Sequence, residues 1–210
     1  RTFGWTTTGS LVIQFEYPFG STPLDPDEAI DLFPSHIRNQ ADLNLWEEAN
    51  ITQAELWVNK RQRQFHMSTV LTEGFVRELH RRMFNRTWRW SGTFRKSNKN
   101  IGVDWTQISV KLNDLLLNTM YQLDHSADAI DEIATRFHHQ LVWIHAFPNG
   151  NGRHARLMTD CLLMTKDMKR FSWGANYASI STDLLRTKYI DALRKADRSD
   201  YSELLSFVRA

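Results

Sequence analysis

The stretch that decides the fold is AIDEIATRFHHQLVWIHAFPNGNGRHAR, residues 129–156. In its first half Ile130, Ile133, Ala134, Phe137, Leu141 and Ile144 recur at steps of three and four, which lines apolar side chains along one face of an α-helix. Pro148 then disfavours helical geometry at Phe147. A new helix is expected after Gly152, through RHARLMTDCLLMTKDM. The glycine turn between the two helices admits a bland reading, because Asn-Gly pairs commonly end helices and a histidine at a helix end is commonly a cap. The joint spacing argues for more. Gly150, Asn151 and Gly152 can turn backbone N–H groups toward an anion without obstruction from Cβ atoms, at the start of a helix whose first N–H groups carry partial positive charge. Arg153 and Arg156, three apart, project from one helical face and suit a polyphosphate. His145 ends the preceding helix, where it can serve the same turn as a proton acceptor.

Working outward, the remaining pattern is also helical. Leu43, Trp46, Ile51, Ala54 and Trp57 predict a helix from Gln40 to about Gln64. Phe75, Leu79, Met83 and Phe84 form one stripe over about 72–84, with Thr72 as N-cap. Val110, Leu112, Leu115, Leu116 and Met120 suit burial on a further helix, and two more are expected near 181–196 and 200–209. Between them TFRKSNKNI, flanked by Gly92 and Gly102, reads as a small exposed β-hairpin or loop. Residues 1–20 show no helical period, and SLVIQFEY within them reads as a short strand or extended arm. The architecture is nearly all α with one hairpin.

Composition sets bounds on function. A chain of 210 residues with 41% hydrophobic and 24% charged content can bury a core as one domain. A formal charge of +2 is too small to argue for nucleic acid. Arginines interleave with aromatics in LHRRMFNRTWRW, but on a helix they read as a solvated face. The one cysteine, Cys161, excludes an internal disulfide framework and fits a reducing, cytoplasmic compartment. No apolar run is long enough to span a bilayer, so no membrane role is expected. His138, His139 and His145 lack the acid or cysteine partners of a zinc site.

The motif at 145–156 resembles that of the Fic family, HxFx(D/E)GNGRxxR: His145, Phe147, Gly150, Asn151, Gly152, Arg153 and Arg156 match, and Asn149 stands at the acidic position. LHRRMFNRTWRWSGTFR, the hairpin and the long helix reaching VWIHAF follow the family's order across about 70–210. FPNGNGRHAR and NKNIGVDW resemble a subgroup named mobile mystery protein B. The resemblance implies an all-α Fic fold with a β-hairpin flap and an N-terminal extension. It divides the chain into an arm or appended segment at 1–20, a helical extension at 21–69 and a core at 70–210.

The activity it implies is transfer of AMP from ATP, or of another nucleoside monophosphate, to a Ser, Thr or Tyr hydroxyl of a target protein. By position, His145 would be the general base, and Gly150, Asn151, Gly152, Arg153 and Arg156 would bind phosphate. Thr93, Phe94, Arg95, Lys96 and Ser97 would belong to the flap that receives the target, and Tyr189 and Asp197 would contact base or ribose. The family's acid ligates Mg²⁺. Asn149 offers an uncharged oxygen instead, so weakened ligation is expected, and a weakly active nucleotide-binding module or transfer of a phosphoryl group stays open. Many relatives are restrained by a glutamate paired with the second motif arginine. Glu47 and Glu48 lie on a helix before the core, within reach of Arg156, and Glu73 falls in TVLTEG, though it reads better in the first turn of its own helix. An antitoxin or other regulatory partner is a further implication.

Overall fold

The structure, a computed structural model, describes residues 25–37, 39–177 and 180–210. The arm at 1–20 and the strand expected in it lie outside the described residues. Nine α-helices follow in order among the described residues: α1 (Pro26–Ile30), α2 (Gln40–Arg61), α3 (Met67–Val70), α4 (Glu73–Phe84), α5 (Ile108–His125), α6 (Ile130–Ile144), α7 (Asn151–Met164), α8 (Thr182–Ala196) and α9 (Ser202–Arg209). The helices expected over 40–64, 72–84, 181–196 and 200–209 are all present, and Thr72 caps α4 by accepting from Phe75 N–H at 3.1 Å.

One large apolar cluster joins α2, α4, α5, α6 and α7 around Leu79, Met83, Leu112, Phe137, Phe147 and Met158. A second, built on Tyr189, Ala192, Leu204 and Phe207, seats α8 and α9 against Ala134 of α6 and Leu163 of α7. Val110 departs from expectation and is exposed on α5. It lies two residues from buried Leu112, a rotation of about 200° around the helix.

The inner face of α2 is less apolar than its sequence period suggests, for it buries Glu47 and Asn50 beside Leu43, Ala54 and Val58. Asn50 ties α2 to the turn after α4: its amide donates to the Arg82 carbonyl at 3.1 Å, and its oxygen accepts from Arg86 N–H at 2.9 Å. Each partner would otherwise be a buried polar group without compensation. Leu32, just after α1, forms an isolated antiparallel bridge with Trp88.

The expected β-hairpin over 93–102 is not formed. Among the described residues that segment is a loop without strand pairing. The reason is Arg95, which turns inward and is 2% exposed. Its guanidinium collects the carbonyls of Ser97 and Val103 within the loop, so these face a side chain rather than an opposing strand.

Candidate active site

The site is built on the turn between α6 and α7. His145 follows the last residue of α6 with left-handed backbone, φ 53° and ψ 57°, and its N–H closes on the Leu141 carbonyl. Phe147 is buried, and its ring stacks on His80 of α4 at 3.7 Å between centroids. The Asn151 side chain clasps the Phe147 peptide groups in both directions: its oxygen accepts from Phe147 N–H at 2.9 Å and its amide donates to the Phe147 carbonyl at 2.8 Å. Its side chain thereby shapes the turn.

Gly150 has φ 77°, and a Cβ there would lie 2.4 Å from the Phe84 ring. Only glycine fits this close approach. Gly150 has no side chain to cap α7, so the first N–H groups of the helix are left for an anion.

Arginines surround this helix start. Arg153 lies over the Phe84 ring at 5.1 Å, and Arg156 lies over the Tyr189 ring at 4.4 Å. The buried Nε of Arg156 has no hydrogen-bond partner among the described residues. Arg186 joins them from α8, one turn before Tyr189; burial, then repulsion by Arg153 and Arg156, lowers its pKa. The sequence reading missed Arg186, although its spacing of three from Tyr189 puts both on one face of α8. Three guanidiniums sharing one region call for an anion to offset their repulsion.

Glu47 supplies a counter-charge. Its carboxylate bridges Arg153 at 2.7 Å and the Trp88 indole N–H at 2.7 Å. It was expected to reach Arg156 and instead pairs with the first motif arginine. Glu48, one residue on, is rotated to the exposed face of α2, and Glu73 pairs with Arg77 on its own helix at 3.2 Å. Neither Glu48 nor Glu73 is brought to the turn.

Burial first, and then the charges of Arg95 and Lys99, lower the pKa of His145 to about 4. Its imidazole is therefore neutral at pH 7, the Val142 carbonyl opposing the shift without reversing it. A neutral imidazole that donates from one nitrogen offers the lone pair of the other, which is what a proton acceptor needs. His80 is neutral too, burial holding its pKa well below the ordinary value. Its Nδ1 accepts from Gly92 N–H at 3.0 Å, so its Nε2–H donates to the Asn149 carbonyl at 3.1 Å. His80 was not singled out from the sequence, yet it falls four residues after Val76 on the buried stripe of α4, and that period marks it.

Asn149 Oδ1 accepts from Gly150 N–H at 2.5 Å and lies 3.5 Å from the Arg153 guanidinium. An amide oxygen committed to donors, beside a cation, does not fit a Mg²⁺ ion, which seeks carboxylate charge. Among the described residues no group of His, Cys, Asp or Glu side chains is placed to hold a metal.

Of the expected flap residues, Thr93 and Lys96 are exposed, Phe94 packs 5.4 Å from Phe147, and Ser97 donates to Asp25 at 2.6 Å. The Arg95 side chain is buried. Tyr189 is also buried, its hydroxyl 2.9 Å from His138 Nε2 and its ring against Arg156. Asp197 pairs with His139 at 2.8 Å, about 12 Å further along α8 at 1.5 Å per residue, away from the turn.

Fold and site together define an all-helical domain with an arginine-flanked anion cradle between two helices. Residues 70–163 match the family model described as Fic/DOC family. A Fic domain containing signaling protein from Bacteroides thetaiotaomicron is similar at 16% identity and TM-score 0.62, covering 78% of this chain and 68% of that one. The N-terminal Fic domain of Bep8, a VirB-translocated effector from Bartonella sp. 1-1C, is 16% identical at TM-score 0.63, covering 82% and 86%. BepC from Bartonella tribocorum, solved with bound AMPPNP, is 13% identical at TM-score 0.61, covering 88% and 97%. At these identities the likeness establishes the fold. No curated protein matches the chain by sequence.

The buried histidines make a prediction about acid. Burial lowers the pKa of His80, brings His138 to about 3, and brings His145 and His154 to about 4. The unfolded chain binds protons near 6.5 that the folded protein refuses, so stability is full above that value and is lost as pH falls toward 4. Urea midpoints should drop between pH 7 and pH 5, above the range where carboxylates titrate. A flat midpoint over that interval would contradict the assignment.

Proposed function

We propose that this protein transfers AMP from ATP to a Ser, Thr or Tyr hydroxyl on a target protein. The observation that carries the reading is the single turn that sets neutral His145 at one end and the uncapped start of α7, flanked by Arg153 and Arg156, at the other. In this reading His145 takes the hydroxyl proton, the oxygen attacks the α-phosphorus, and pyrophosphate leaves. The backbone N–H groups at Gly150–Gly152 hold phosphate oxygens. Arg153 and Arg156 offset the charge of the leaving group. The AMPPNP bound by BepC supports a nucleotide as the ligand of this fold. FPNGNGRHAR and NKNIGVDW support a place in the mobile mystery protein B subgroup. No step is drawn through Mg²⁺, since Asn149 does not fit it. Asn149 also favours a second reading, a nucleotide-binding regulatory module with little turnover.

We further propose Glu47 as the restraining acid, since its carboxylate occupies Arg153, where a leaving phosphate would bind. The extension at 21–69 then regulates the core at 70–210.

Incubation with α-labelled ATP and a lysate should label protein, and His145→Ala should abolish the signal. Label from the γ-position would indicate phosphoryl transfer; ATP binding without either label would favour the module. Asn149→Asp, by restoring a carboxylate, is expected to raise Mg²⁺-dependent transfer, and equal or lower activity in the matched assay would count against the role given to this position. Glu47→Gln should tighten ATP binding about tenfold, equivalent to about 1.4 kcal/mol, and raise self-modification. Unchanged affinity by calorimetry would remove Glu47 as the restraint.

A further inference from the structure

We propose that Arg95 is the positioning residue of the active site, holding the His145 peptide in its left-handed turn and keeping the imidazole in proton-accepting form. The inference rests on His145 being the base of the reading above. Helix α6 ends in carbonyls that no later turn of helix can satisfy. Arg95 meets them from the flap loop: Nε donates to the His145 carbonyl at 2.6 Å and Nη2 reaches the Ile144 carbonyl at 3.4 Å. Its own backbone N–H donates to the Ala146 carbonyl at 3.0 Å. The same guanidinium donates to Ser97 O at 2.8 Å and to Val103 O, so one buried side chain fixes both walls of the crevice. A rigid fork of donors suits this task, and a cation at a helix C-terminus is favoured by the helix dipole.

Gly102 completes the arrangement. A Cβ at this position would lie 2.7 Å from His145 Cβ and 2.9 Å from Arg95 Nη2, and its φ is 101°. The loop therefore presses its backbone against His145 with Arg95 as the staple. The charged groups facing the imidazole are Arg95 and Lys99, both from this loop. Lys99 is itself paired with Asp25 at 2.8 Å and with Glu28 of α1, and Arg95, though Asp104 and Glu28 lie near it, acts on the imidazole more strongly than Lys99. Arg95 does not touch the reacting atoms. It acts through the orientation of His145 and through its charge.

The test compares wild type with Arg95→Gln and Arg95→Lys, by NMR titration of the imidazole resonance that disappears in His145→Ala and by transfer kinetics. Arg95→Gln should move the His145 titration upward from about 4, because a positive neighbour is gone. It should lower kcat about 100-fold while KM for ATP stays unchanged, the signature of a misplaced base rather than a lost ligand contact. Arg95→Lys keeps the charge on a single-point donor: the titration should stay low and kcat should still fall. This variant decides the matter if Arg95→Gln does not fold. A His145 titration unmoved by Arg95→Gln, or wild-type kcat in folded Arg95→Lys, would overturn the proposal. If wild type transfers no nucleotide at all, the transferase reading falls instead, and the titration still judges Arg95.

Discussion

The left-handed backbone at His145 is the constraint on which the site depends. A non-glycine residue in that conformation costs about 1–2 kcal/mol, and such strain persists only where the surroundings over-determine it. Here the surroundings act from several sides. Arg95 takes the carbonyls of the turn, Asn151 clasps Phe147 through two hydrogen bonds, and His80 both stacks on Phe147 and donates to the Asn149 carbonyl. The strained residue is thereby the histidine that joins α6 to the turn before α7. The fold holds a neutral imidazole at the turn before α7 by refusing the chain any relaxed way of turning.

Charge is the second constraint, and it links the core to the segment before it. Arg153, Arg156 and Arg186 repel one another; Glu47 on α2 pairs with Arg153, and Asp183 lies near Arg186. That helix lies outside residues 70–163, where the Fic/DOC model matches. Burying a carboxylate against an arginine is costly unless its lone pairs are satisfied, and the Trp88 indole completes Glu47. Trp88 also bridges to Leu32 after α1. Elements from the extension thus converge on the core at the place where its positive charge is least compensated.

Much of this was legible in the sequence, and the failures share a cause. Periodicity located the helices, because apolar spacing is a local property of the chain. The motif placed His145, Gly150, Arg153 and Arg156 at the ends of neighbouring helices, where the structure has them. What local spacing does not carry is the direction a polar side chain takes across the fold. Arg95 sits in a stretch of turn-prone, charged residues and reads as exposed, yet it is buried because unsatisfied carbonyls 50 residues away need a donor. The Asn151 side chain clasps Phe147 and the Tyr189 hydroxyl meets His138, long-range contacts that spacing alone does not announce. The hairpin failed for the same reason, since its carbonyls were claimed by a side chain from within the loop.

Asn149 takes on a different meaning in this setting. Asparagine readily bonds backbone N–H groups next to it in tight turns, and here Oδ1 closes on Gly150 N–H while facing Arg153. A carboxylate at this position would be drawn to Arg153 and would compete with Glu47 for the same guanidinium. The amide leaves that guanidinium to Glu47 and leaves the positive field of the turn undiminished by any acid of its own. The absence of a carboxylate at position 149 and the pairing of Arg153 with Glu47 are therefore linked, because a single arginine lies within reach of both positions.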